Sequence, residues 1–237
     1  MNRYGLLARC APVALIALAL SVGARAQFNC DLDDPGSPPF AGGGTPSSAF
    51  GAAANQPGYW NSLNAAGFGP TALRNLSGQL TNVICTGPSG GIGSGFNFAG
   101  NTGDYALLLN DGHQVYHDSW TFTGLAPGIY RLYTYAVWPN GVVTATAVTV
   151  PGSFTVNPQY VTGPMPGNRF DLNVTHSIHE IQVSTGNVTV NVDRGGHFGF
   201  VNGFQIVPVA VPEPSIVLGL ILGLLSIATC RRKRRTR

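Results

Sequence analysis

Lysine is almost missing from this chain of 237 residues: Lys233 is the only one. Charge of either sign is scarce, at 10% of residues, and Glu180 is the only glutamate before Glu213. Arg3, Arg9 and Arg25 stand at the N-terminus, and six of the last seven residues are Arg or Lys. Between these ends, residues 27–210 hold four arginines against nine acids, a net charge of −5. A nucleic-acid binder needs a clustered basic surface, so no nucleic-acid partner is expected. A phosphate-cradling loop needs a lysine and a helix after its glycines. The glycine-rich run 86–103 has no lysine and no helical pattern behind it, so no nucleotide site is expected.

Cysteine is also sparse. Of four, Cys10 and Cys230 lie near the termini, leaving Cys30 and Cys85 in the body of the chain. One pair in an oxidising compartment suggests one disulfide. Closing that loop would contribute on the order of 4 kcal/mol. The alternative is two unpaired buried thiols.

What is abundant points to strands. The chain has 32 glycines and 17 prolines, with many Val, Thr and aromatic residues. Low charge with turn formers and β-branched residues favours an all-β fold, a β-sandwich or jelly roll.

Both ends read as addresses. Residues 1–26 have arginines, then the apolar run Ala11 to Leu20, then Ala24-Arg25-Ala26. This is the pattern of a secretory signal peptide cleaved before Gln27. Residues 211–237 read V-P-E-P-S, an apolar run, and R-R-K-R-R-T-R. Ile216 to Thr229 would span roughly 21 Å as a helix, short for a bilayer core of about 30 Å. The basic cluster would hold the cytoplasmic side. The order of Pro212, Glu213 and Pro214, the span and the basic tail resembles the PEP-CTERM sorting signal. That resemblance implies an exosortase-type membrane protease as partner, a membrane stage through a short C-terminal transmembrane helix, and delivery to the envelope or outside.

Residues 27–58 are rich in Gly, Pro, Ser and Ala and read as a linker. Residues 59–208 read as the β-sandwich. Leu80 to Cys85 alternates as a strand should. Tyr105 to Asn110 reads as a strand closed by an N-D-G turn. Ile129 to Trp138 is a long strand with bulk on both faces, which predicts a place away from the sheet edge. Further strands are expected at 114–116, 119–123, 142–150, 153–156, 170–174, 178–184, 188–192 and 198–207. The segment G-L-A-P-G-I-Y (124–130) resembles a turn-strand of bacterial cell-surface β-sandwiches, and V-N-G-F-Q-I-V (201–207) resembles the closing strand of galactose-binding-like β-sandwiches. That implies a sandwich over Tyr59 to Val207 and carries no site residues.

Candidate chemistry is thin. His113 and His117 have the spacing of two zinc ligands on a helix. On a strand, four residues place them about 13 Å apart, so zinc and catalysis are not expected. His176, His179 and Glu180 alternate faces in the same way. Asp104, Asp111 and Asp118 are candidate calcium ligands, since calcium takes oxygen donors. Asp31, Asp33 and Asp34 are a weaker acidic group. No catalytic residue is assigned and the protein is expected not to be an enzyme. Trp60, Tyr116, Trp120 and Trp138 are the candidate sugar-stacking residues, with Tyr133 and Tyr135 behind them. The expectation is an exported matrix protein that associates with exopolysaccharide without catalysis. The alternatives are a structural or adhesive matrix protein without a specific ligand, and a glycan-active enzyme.

Overall fold

The computed structural model describes residues 25–33, 43–65, 69–89, 92–96, 98–138, 145–196 and 198–210. Most of the expected signal peptide, Asp34, His197, the motif Pro212, Glu213 and Pro214, and the basic tail lie outside these residues. Among the described residues no helix is long and apolar enough to cross a membrane.

Among the described residues the fold is all-β apart from one short helix. In order the elements are β1 (Phe28–Asp33), β2 (Trp60–Asn64), β3 (Thr71–Arg74), β4 (Leu80–Thr86), β5 (Ile92–Gly95), α1 (Asp104–Leu109), β6 (Asp111–Val115), β7 (His117–Thr123), β8 (Gly128–Tyr135), β9 (Ala145–Thr149), β10 (Gln159–Thr162), β11 (His176–Val183), β12 (Val188–Arg194), β13 (Gly199–Val201) and β14 (Gly203–Pro208). One sheet has the order β11-β8-β14-β1-β2, a second β10-β9-β12-β7-β4-β3, and a small third β13-β6-β5. The two large sheets share one core. Phe28, Leu32, Leu132, Phe204 and Ile206 of the first meet Val83, Trp120, Phe122, Val148 and Val190 of the second. The arrangement is sandwich-like, as alternation on β7, β8 and β12 predicts: each strand sends every second side chain inward. β8 lies between β11 and β14, paired on both sides, which suits its bulky faces.

The structure departs from the sequence reading in two places that matter. The stretch 27–58 is not all linker. Phe28–Asp33 is a strand in the middle of the first sheet, antiparallel to β14 and parallel to β2. Phe28, Cys30 and Leu32 enter the core, while Asn29, Asp31 and Asp33 alternate with them, and all six residues are buried. Three polar side chains disguise the apolar period. Residues 43–58 close over the polar side: Asn29 donates to the Gln56 carbonyl at 3.0 Å, and Gln56 donates to Asn29 Oδ1 at 2.7 Å.

Asp104–Leu109 is a helix rather than a strand. Tyr105, Leu108 and Leu109 at i, i+3 and i+4 all join a second cluster with Trp60, Tyr135 and Val137. Gly103 takes φ 55° before it, and the Asn110 N–H closes its last turn on the Ala106 carbonyl. A run this short fits either period, and packing decides it. Smaller shifts follow the same logic. Residues 153–156 and 170–174 contribute only the bridges Ser153–Ile181 and Leu172–His176.

Candidate binding groove

The expected stacking platforms are mostly core. Trp120 is fully buried, edge-on to His113 and tilted against Phe204. Trp60 is buried and donates its indole N–H to the Phe50 carbonyl at 3.1 Å. Trp138 is buried among Phe96, Phe198 and Phe200. Tyr135 is fully buried and Tyr133 half-buried. Large aromatics satisfy their area best between layers, so all three tryptophans are corrected to structural residues. Tyr116 alone is exposed, and Arg194 covers its ring at 4.8 Å.

The candidate calcium ligands are each occupied separately. Asp104 accepts from the Ser47 N–H and hydroxyl, both at 2.7 Å. Asp118 accepts from the Tyr116 N–H and lies 3.4 Å from His113 Nε2. Asp111 is buried behind α1. Among the described residues no group of three His, Cys, Asp or Glu is placed to hold a metal. His113 is buried with Nδ1 2.8 Å from the Ala65 carbonyl, while His117 is exposed and bound to Asp193 at 2.6 Å. His176 and His179 occupy opposite faces of β11. Burial lowers both imidazoles to about 4, with Asp171 partly opposing it at His176.

Cys30 and Cys85 are free thiols in the structure, which corrects the expected bridge. They sit in opposite sheets of one core. Burial pushes both thiols upward, and the neighbouring Asp31 and Cys30 respectively add to it.

One surface site does stand out, and it lies where the two large sheets approach each other at β10 and β11. Residues 150–157 form a closed loop. Asn157 accepts from the Val150 N–H at 2.9 Å and donates to the Val150 carbonyl at 2.8 Å. Phe154 N–H donates to the Glu180 carbonyl at 2.8 Å. Gln159 then behaves as a peptide group. Its Oε1 accepts from Ile178 N–H at 3.1 Å and its Nε2 donates to the Ile178 carbonyl. With the loop backbone held this way, the apolar side chains point outward. Phe154, Val156, Tyr160 and Leu172 are 65%, 80%, 54% and 53% exposed. They border a groove of about 770 Å³ floored by Ile178 and Gln159, with Thr155 and Asn173 adding polar groups. Its volume lies in the range of small-molecule clefts, about 300–1,000 Å³, but it is open to solvent rather than enclosing. No charged side chain lines it. Nothing in the local sequence marks this site. Its residues come from three segments, and the exposed Phe154 looks like any strand aromatic until the fold is known.

The string Gly87 to Gly91 spells G-x-S-x-G, the letter pattern of a hydrolase nucleophile elbow. It lies between β4 and β5, where that elbow requires a strand followed directly by a helix.

No family model matches the chain, and no curated protein matches it. Among solved structures, a family GH115 4-O-methyl-alpha-glucuronidase with specificity for decorated arabinogalactans aligns over 50% of this chain at 11% identity and a TM-score of 0.29. The aligned part spans 16% of that protein. A likeness of this size assigns neither fold nor activity.

Proposed function

We propose that this is an exported, non-catalytic protein of the cell envelope or extracellular matrix, and that its sandwich-like domain associates with polysaccharide through the Phe154–Tyr160 groove. The observation that carries the binding half is the exposure of two aromatic rings beside a groove with amide and hydroxyl groups. Aromatic faces take the C–H faces of sugar rings, and Asn and Thr offer directional hydrogen bonds. The export half rests on the sequence, on residues 1–26 and on the Pro212-Glu213-Pro214 signal with its basic tail. In this reading an exosortase-type protease meets the chain at the membrane and the ectodomain is released to the envelope or beyond.

A structural or adhesive role without a specific ligand is the second reading, favoured by the apolar character of the same groove. A glycan-active enzyme is the third. No carboxylate lines the groove, and two positioned carboxyl groups are the usual glycosidase requirement.

The test uses the full chain in mild detergent. It is run through native gels containing the producing cell's own exopolysaccharide. Retardation of the wild type that is lost in Tyr160→Ser supports polysaccharide binding. Equal mobility with and without the polymer leaves the structural reading. For export, Glu213→Ala together with Pro212→Ala should hold the protein in the membrane fraction with its tail. Unchanged release would overturn the sorting assignment.

A further inference from the structure

The arginines of the domain restrict what the groove can hold. Residues 27–210 contain no lysine and four arginines. None of the four lines the groove. Arg74 donates to the Gly78 carbonyl at 2.8 Å, Arg131 pairs with Glu180 at 3.2 Å, and Arg169 pairs with Asp171 at 2.9 Å. Arg194 lies over the Tyr116 ring. Just before them, Arg25 reaches the Val209 carbonyl. Two of the pairs flank the groove, since Glu180 and Asp171 neighbour residues that build it, and each acid there already has its cation. Among the described histidines, His113, His176 and His179 are buried and His117 is bound to Asp193.

Anionic glycans are recognised through carboxylate, sulfate or phosphate groups. These want a free guanidinium or ammonium, above all a bidentate arginine. The groove has none, and the domain's net charge of −5 opposes any polyanion. What the groove does provide is apolar area from Phe154, Val156, Tyr160 and Leu172 with uncharged hydrogen-bonding groups from Thr155 and Asn173.

We propose that the groove selects uncharged glycan chains and discriminates against uronate-bearing or otherwise anionic ones. The inference rests on the polysaccharide reading above and narrows its ligand class. The apolar walls stack on unsubstituted hexose faces, and desolvating a carboxylate there with no partner costs affinity.

The experiment is affinity electrophoresis of the full chain in mild detergent. The polymers are glucomannan and xyloglucan, which are neutral, and alginate, which is a polyuronate. The basic tail at 231–237 will itself attract alginate. Binding is therefore scored as the part lost in the double variant Phe154→Ser, Tyr160→Ser, at about 0.5 M salt, where exposed ionic contacts are screened. Both positions are more than half exposed, and an unchanged melting midpoint confirms that the variant is folded. The expected result is groove-dependent retardation by at least one neutral polymer, with a dissociation constant at least about tenfold lower than for alginate. Groove-dependent retardation by alginate that equals or exceeds both neutral polymers would overturn the charge selectivity while leaving polysaccharide binding standing. No groove-dependent retardation by any polymer would overturn both. Self-association without glycan that the double variant abolishes would assign the groove to a second copy of the chain, and would also overturn the proposal.

Discussion

Asp31 is the least comfortable side chain in the molecule. It is fully buried on β1, and neither carboxyl oxygen has a hydrogen-bond partner. Asn202 brings the start of β6 against it. The Asn202 carbonyl accepts from Leu32 N–H and its amide donates to the Asp111 carbonyl, both at 2.8 Å. Burial, then the nearby Asp111 and Asp33, hold the Asp31 carboxyl well above the usual carboxylate range. The folded chain thus keeps a proton that the unfolded chain releases near its ordinary value of about 3.9. Stability is full below that value and is lost as pH rises toward the raised folded value. Asp31→Asn removes this loss. It should be more stable than wild type at pH 8 by roughly 1–3 kcal/mol, with a smaller gain at pH 5, read from urea midpoints. A variant less stable at pH 8 would sink this account. His179 slopes the other way. It is fully buried on the core side of β11, with both ring nitrogens unpartnered, and burial lowers it to about 4. The unfolded chain takes up a proton near about 6.5 that the folded chain refuses. Stability present above that value is lost as pH falls toward about 4. His179→Leu should flatten the fall in melting midpoint between pH 7 and pH 4.5. An unchanged slope would assign the acid sensitivity elsewhere, with His176 the next variant to make.

At the scale of elements, the tight approaches between strands make the sharpest prediction. Gly112, the second residue of β6, has φ 148°, a backbone that side chains rarely adopt, and a Cβ there would fall onto the Val201 carbonyl of β13. Gly112→Ala should cost roughly 2 kcal/mol or more, since both strain and contact oppose it. A denaturant midpoint within error of wild type would show that β6 and β13 separate without penalty. Within the main core, Phe204 on β14 touches both Trp120 and Phe122 of the facing sheet. Phe204→Ala should cost about 3–5 kcal/mol. The exposed Phe154→Ser should change stability by less than about 0.5 kcal/mol, because its ring contributes to the groove and not to the core. Elements were legible in the sequence where one face is wet. The alternation of Trp120 and Phe122 with Ser119, Thr121 and Thr123 gives β7 directly. β1 was hidden because its second face carries Asn29, Asp31 and Asp33, yet is buried by residues 43–58. α1 was hidden because Tyr105 to Leu109 is too short for its period to separate from a strand.

At the scale of the described molecule, two large sheets meet over the main core, and the two thiols test how that core is closed. Cys30 and Cys85 approach from opposite sheets, both buried and free. In the folded chain neither cysteine peptide should carry an alkyl group after iodoacetamide treatment. In denaturant without reductant both should. Peptides that label only after reductant would show that the protein isolated from an oxidising compartment carries the inter-sheet bridge instead. The sequence by itself determined the β-rich class, the net charge of −5 over residues 27–210 and the want of lysine there. These are sums and periods, and no contact alters them. It also carries the whole case for the N-terminal leader and the C-terminal sorting signal. Only the tertiary structure decided which aromatics face water. Trp60, Trp120 and Trp138 have the composition of a sugar platform, but a second layer covers each of them. Phe154 reads as an ordinary strand residue and Tyr160 falls between expected strands, but the loop tied by Asn157 and Gln159 leaves both bare. Exposure depends on what packs over a residue from a distant part of the chain, and local sequence holds no record of that.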